Sequence, residues 1–237
     1  MASLHFLANP ARFRRFAAAV LPALSAVTAL ALAAGLYLAL FVSPPDYQQG
    51  ETVRIMFVHV PSAWLSMVGY GLLAALGATL LVWRHPLAAL MARASAPVGA
   101  TFAAICLISG SLWGRPMWGA YWVWDARLTS MLLLFFLYLG HIALSRAYDD
   151  PDRGDRAAAI LALVGVINLP IIKFSVDWWN TLHQPASVAR LGGPSIHPSI
   201  LTPLLVMAVA LLLLYVTLVL LRTDTEIDRR RLEMAER

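Results

Sequence analysis

Six apolar runs, bounded by charged residues, prolines or both, constrain the fold of this chain more than any other feature. Hydrocarbon lipid offers the backbone no hydrogen-bond partner, so a spanning segment must be a helix or part of a closed barrel. Runs of about 20 residues have the length of a membrane helix. We therefore predict an all-α polytopic membrane protein, a single domain over 1–237, with both termini on one side. Its six transmembrane helices are expected at about 16–42, 56–83, 94–112, 128–145, 157–172 and 200–221.

Composition excludes a water-soluble protein. Hydrophobic residues make up 60% of the 237 residues, charged residues only 13%, and the mean hydropathy is +0.71. A soluble domain of this composition would expose large apolar patches. The lone cysteine, Cys106, excludes a disulfide within the chain and CxxC thiol exchange. The sequence has no Walker A loop, so an ATP-driven step requires another subunit.

Positive charge is distributed unevenly between the two sides of the predicted bundle. On the side of the termini lie Arg12, Arg14, Arg15, Arg84, Arg93, Arg146, Arg153, Arg156, Arg222, Arg229, Arg230, Arg231 and Arg237. On the other side lie Arg54, Arg115, Arg127, Lys173 and Arg190. Cytoplasmic segments of membrane proteins are enriched in arginine and lysine, so we predict that both termini are cytoplasmic. The connection between the third and fourth helices then faces outward.

That connection, at 113–127, has an unusual composition. It contains Trp113, Trp118, Trp122, Trp124 and Asp125. A connection between membrane helices needs only to be short and polar, so this aromatic content predicts a shaped surface for a large, flat and mostly apolar ligand. Tryptophan also anchors helices at both membrane surfaces, which is the ordinary explanation for any single one. Of the eight tryptophans, however, six fall in outer segments, which favours a binding surface.

Three histidines, His59, His183 and His197, lie on the same outer side and are the only ones that a shared metal there could use. Pro61 suits the start of the second helix, which would leave His59 just above the membrane. No cysteine or carboxylate cluster completes a tetrahedral zinc site. An iron porphyrin brings four nitrogens of its own and needs only two axial ligands from the protein.

Haem also matches the charged residues of the outer segments. Its two propionates need cations such as Arg54 and Arg127. Asp125 cannot face lipid as an anion. We expect it to pair with Arg127 or Arg115, or to accept a hydrogen bond from an indole N–H, and so to orient the aromatic surface rather than act as a base.

The segments Trp113-Gly114-Arg115-Pro116-Met117-Trp118-Gly119 and Trp122-Val123-Trp124-Asp125-Ala126-Arg127-Leu128-Thr129 resemble a known signature. It is the tryptophan-rich "WWD" signature of the haem-handling protein family of bacterial cytochrome c maturation. The resemblance extends over essentially the whole chain and includes Phe57-Val58-His59-Val60-Pro61 and Thr181-Leu182-His183-Gln184-Pro185.

The resemblance implies a protein of the bacterial inner membrane that holds haem b at the periplasmic face. Its axial ligands would be His59 and His183, with His197 outside the motif. The residues expected around the haem are Trp113, Trp118, Trp122, Trp124, Asp125, Arg54 and Arg127. The implied partners are a periplasmic haem chaperone, which receives the haem, and an ABC-type complex of an ATPase subunit, a second membrane subunit and a small single-span subunit.

Two other classes of protein remain open at the level of sequence. A membrane b-type cytochrome for electron transfer would also use paired histidines, although these usually lie within helices. A small-molecule permease subunit would use the tryptophans as an extracellular plug and would carry no pigment. The colour of the purified protein separates the second class from the other two.

Overall fold

The computed structural model describes residues 9–188 and 190–235, and they form a bundle of helices. The helices are α1 (Pro10–Tyr37), α2 (Met56–Trp83), α3 (Pro86–Trp118), α4 (Ala126–Leu144), α5 (Pro151–Gly165), α6 (Asn168–Trp178) and α7 (Pro198–Ala235). A π-helical turn, Leu38–Val42, continues α1, and a 3₁₀ turn, Glu51–Ile55, leads into α2. Because α5 and α6 together form one span, the described residues contain six spans long and apolar enough to cross a membrane, as predicted.

Several helices extend beyond their apolar runs. Helix α3 begins at Pro86 and includes residues 113–118, so only 119–125 of the tryptophan-rich segment form a loop. Gly119 ends the helix in the left-handed region, with φ of 77°, and its N–H donates to Arg115 O. Helix α7 runs on to Ala235. Hydropathy marks the part of a helix that lies in lipid, whereas the backbone hydrogen bonds continue until a capping residue stops them.

Pro61 does not begin the second helix, which starts at Met56 and includes the proline. The preceding 3₁₀ turn already directs the backbone into a helix. Pro61 is the sixth residue of α2 and has no N–H, so Phe57 O lacks its usual i+4 partner while the helix continues. His59 therefore lies within α2 and not above it, and its side chain has a fixed direction relative to α3.

The fifth span is broken between α5 and α6. Pro170 has no N–H to donate to the carbonyl of Val166. Leu169 N donates to Val166 O instead, at 3.0 Å, in a hydrogen bond of the 3₁₀ type. Asn168 follows the break and donates from Nδ2 to Ser130 O on α4, 2.8 Å away. This bond holds α6 against α4 below the loop that carries His183.

Helices α2, α3 and α4 share a core around two buried tyrosines. The rings of Tyr70 and Tyr138 meet edge to face, with centroids 5.0 Å apart, and the Tyr138 hydroxyl donates to Ser66 O at 2.7 Å. Gly99 allows α3 to approach this closely, because a Cβ there would lie 2.3 Å from the Tyr138 ring. The core fixes the register between the helices that carry the outer residues.

Ion pairs join the helices at the end of the bundle where α1 begins and α7 ends. The pair Arg93–Asp155, at 2.5 Å, joins α3 to α5, and both side chains are at least nine-tenths buried. Arg14 on α1 pairs with Asp224 on α7 at 2.9 Å. Arg230 on α7 pairs with Asp152 on α5. The charged extension of α7 is thus bound to the rest of the bundle at the end opposite the candidate site.

Candidate functional site

A cavity of about 760 Å³ opens at the other end of the bundle. This volume lies within the roughly 300–1,000 Å³ typical of small-molecule sites. Its walls come from α2, α3, α4, α6, the start of α7 and the 3₁₀ turn, and from residues 44–49, 122, 182–188 and 195–197 of the connections. The cavity therefore brings together the three segments that the sequence places on the outer side. Among its lining residues are His59, His183, His197, Trp113, Trp118, Trp122, Arg127, Lys173 and Asp177.

His59 is held by helix α3 through one ring nitrogen. Its Nδ1 lies 3.1 Å from Cys106 O and 3.1 Å from Ser109 Oγ. Ser109 Oγ donates its own proton to Ile105 O at 2.6 Å, so both neighbours of Nδ1 act as acceptors. Nδ1 therefore carries the ring proton, and the lone pair is on Nε2. The Trp113 ring packs edge-on against the imidazole, with centroids 5.6 Å apart.

Gly110 provides the space for this imidazole. A Cβ at position 110 would lie 2.9 Å from His59 Cε1 and 3.4 Å from Nδ1. Sequence reasoning missed both Gly110 and Ser109, because a glycine and a serine in an apolar helix give no signal of their own. Only their spacing relative to Cys106, on the helix facing His59, could have indicated them.

His183 lies beside Asp125, which also begins helix α4. Asp125 Oδ1 accepts from Leu128 N at 2.8 Å as the N-cap of α4. Its Oδ2 lies 3.5 Å from His183 Nδ1. This distance is long for a hydrogen bond but places the carboxylate beside Nδ1, which favours the proton there. As with His59, Nε2 is left with the lone pair.

The surroundings of His183 favour the neutral form of its ring. Burial lowers the pKa of His183 below its ordinary value; the negative charge of Asp125 opposes this shift and the positive charge of Arg127 adds to it. A neutral imidazole is the form that binds a metal. The Trp118 ring packs against this imidazole, with centroids 4.9 Å apart. Each of the two predicted ligands thus has one tryptophan beside it.

The four tryptophans of the 113–127 segment occupy different positions. Trp113, Trp118 and Trp122 line the cavity, and Trp113 Nε1 donates to Gln49 Oε1 at 3.1 Å. Trp124 is 77% exposed and does not line the cavity, although its ring packs against Trp122 at 5.4 Å. The aromatic surface therefore has an inner part at the cavity and an exposed outer edge.

Of the two predicted cations, Arg127 lines the cavity and Arg54 does not. Arg54 Nη1 donates to Ala39 O and Leu40 O at 2.7 Å each, and Nε pairs with Glu51. Those bonds satisfy carbonyls at the end of the first span. Asp125 forms no ion pair with Arg127 or Arg115 in the described part of the chain; it faces His183 instead.

The cavity suits a flat macrocycle that carries its own metal. Among the described residues, no group of three His, Cys, Asp or Glu side chains is placed to hold a metal ion alone. Two imidazoles with Nε2 lone pairs would complete an iron that already has four porphyrin nitrogens. Indole rings flank them, and the apolar side chains of Ala63, Met67 and Met131 also line the cavity. The residues present therefore fit haem better than a bare ion.

Comparison with known proteins identifies relatives along the whole chain. The family described as Heme exporter protein C matches residues 3–237. A heme exporter protein C of Bradyrhizobium diazoefficiens is 63% identical over 225 residues, which cover 95% of this chain and 85% of the relative. A protein of the same name from Escherichia coli strain K12 is 46% identical, over 93% of this chain and 89% of the relative. One from Paracoccus denitrificans is 42% identical, over 95% of this chain and 93% of the relative.

Proposed function

This chain belongs to the heme exporter protein C family, and from that premise we propose that it binds haem b and passes it to a periplasmic haem chaperone during cytochrome c maturation. The haem is cargo, held between His59 and His183 at the outer face of the bacterial inner membrane. Both termini are then cytoplasmic, in agreement with the excess of arginine at their end of the bundle.

One observation carries this proposal: two imidazoles line the same cavity, and each has an acceptor near Nδ1, Cys106 O at 3.1 Å for His59 and Asp125 Oδ2 at 3.5 Å for His183, which leaves the lone pair on Nε2. The orienting groups come from different parts of the chain, a carbonyl on α3 for His59 and a carboxylate at the start of α4 for His183. Two axial imidazoles leave haem iron without an open coordination position, which suits a carrier better than an oxygen-activating enzyme.

The tryptophans alone are insufficient to retain the cargo. Three indole rings lining the cavity contribute roughly 1.5–4.5 kcal/mol beyond area burial, taking about 0.5–1.5 kcal/mol for each aromatic contact. A nanomolar complex needs about 12 kcal/mol. Ligation by the histidines and burial of the apolar macrocycle must supply the rest, so loss of either histidine should release haem.

The exposed edge at Trp124 and Tyr121 gives the chaperone a surface beside the cavity. A bound macrocycle at the mouth of the cavity would present one edge there. The sequence has no ATP-binding motif, so energy for releasing the loaded chaperone would come from the ATPase subunit of an ABC-type complex. That complex would also contain a second membrane subunit and a small single-span subunit.

The direct test is the haem content of purified variants. Protein from haem-replete cells should be coloured and show a six-coordinate absorption spectrum. His59→Ala and His183→Ala should each lose bound haem or change to a five-coordinate spectrum. His85→Ala, at the opposite end of the bundle, is the matched control and should resemble the wild type. Unchanged haem content and spectrum in both cavity variants would rule out the ligand assignment.

A further inference from the structure

A third histidine lines the same cavity with its proton on the other ring nitrogen. His197 immediately precedes α7, and its Nδ1 lies 3.3 Å from Ser199 N and 2.8 Å from Ser199 Oγ. A backbone N–H only donates, so Nδ1 of His197 is an acceptor. In the neutral ring the proton is then on Nε2. His197 offers an N–H where His59 and His183 offer lone pairs.

His197 lines the cavity and is exposed, so its N–H is accessible to a ligand, and a porphyrin of the haem type brings two carboxylates as acceptors. Arg54 is bound to carbonyls elsewhere. Among the described residues, the cationic side chains that line the cavity are Arg127 and Lys173. Arg127 uses Nε on Ser175 Oγ and Nη2 on two carbonyls of α6. Two carboxylates of the described residues, Asp46 and Asp177, also line the cavity and oppose these charges. A further neutral donor would therefore help to hold the propionates.

We propose that His197 donates a hydrogen bond from Nε2 to a propionate carboxylate of the bound haem and is not an iron ligand. This inference rests on the proposed function and adds a residue that recognises the carboxylates of the cargo. The inference assigns the three outer histidines by tautomer. His59 and His183, with Nδ1 beside an acceptor, bind iron through Nε2. His197, with Nδ1 beside a donor, binds a carboxylate through its Nε2–H.

The test compares two porphyrins on one variant. In His197→Asn, the side-chain oxygen still accepts from Ser199 N–H, so the start of α7 is kept while the longer-reaching Nε2–H is removed. His85→Asn is the matched control, because His85 also precedes the first proline of a helix but lies at the opposite end. Purified proteins in detergent are titrated with haem and with haem dimethyl ester, and affinity and absorption spectrum are recorded.

We expect His197→Asn to bind haem roughly ten-fold more weakly, the lower end of the effect of losing a hydrogen bond to a charged group. Its affinity for the dimethyl ester and its six-coordinate spectrum should equal those of the wild type. A five-coordinate spectrum would make His197 a ligand, and an equal loss with both porphyrins would make its role structural. Wild-type affinity for haem in the variant would also overturn the inference. A wild-type protein that binds neither porphyrin would instead refute the proposed function itself.

Discussion

Gly110→Ala should release haem without unfolding the protein. The added Cβ would lie 2.9 Å from His59 Cε1, so the ring must move by about 0.5 Å to restore an ordinary contact of 3.4 Å. A shift of that size away from α3 lengthens the bond from Nδ1 to Cys106 O from 3.1 Å to about 3.6 Å, beyond hydrogen-bonding distance. The imidazole then loses the contact that holds Nδ1 against α3.

The magnitudes distinguish an effect on the site from an effect on the fold. Loss of one hydrogen bond costs about 0.5–1.5 kcal/mol, while replacing a mid-helix glycine by alanine gains about 0.5–1 kcal/mol. The free energy of unfolding should therefore stay within about 1 kcal/mol of the wild type. Loss of a group that orients a metal ligand typically lowers metal affinity roughly 10- to 100-fold. Haem affinity should fall by that factor.

The assay is absorption titration with haem beside thermal unfolding in detergent. Gly71→Ala on α2 is the matched control, because its Cβ would meet only Leu169 Cδ1 at an ordinary 3.8 Å. In a His59→Ala background, Gly110→Ala should have no further effect on haem affinity, since the two changes act on one contact. Wild-type affinity in Gly110→Ala, or an equal loss in Gly71→Ala, would refute the reasoning.

Three further predictions concern other parts of the molecule. Asp125→Asn keeps an oxygen to cap α4 but removes the negative charge beside His183. Haem affinity should therefore fall roughly 10- to 100-fold, while the thermal unfolding temperature stays unchanged. Haem affinity equal to that of the wild type would show that the carboxylate does not orient the ring. Trp124→Ala should keep its haem, because the ring lies outside the cavity lining, yet load the chaperone more slowly; loss of haem on purification would contradict this. Arg93→Met leaves Asp155 buried without its partner and should lower the free energy of unfolding, measured in detergent, by about 3–5 kcal/mol. The double variant Arg93→Met with Asp155→Leu should recover most of this lost free energy.

The six spans follow from the sequence because lipid imposes a simple condition on it. Each span must be apolar and helical, so apolar length alone identified the six spans of the described residues, although α2 begins at Met56 and not at Pro61. The predicted ends of helices that extend beyond their apolar runs were less accurate. Helix α3 begins at Pro86 and not near residue 94, because helical hydrogen bonding does not end where hydropathy falls. The tryptophan signature was sufficient to indicate the family, because it is a local pattern.

What only the tertiary structure decided is which outer residues meet and how each is oriented. His59 depends on Cys106 and Ser109, and His183 depends on Asp125, and these contacts join residues far apart in the chain. They require the rotation of α2 relative to α3, which apolar runs leave undetermined because lipid-facing and core-facing sides of a membrane helix are both apolar. For the same reason, charge alone could not distinguish Arg54, bound to carbonyls of the first span, from Arg127 at the cavity. The sequence thus determined the six membrane-spanning helices of the described residues and the family, and helix packing determined the geometry at the candidate ligands.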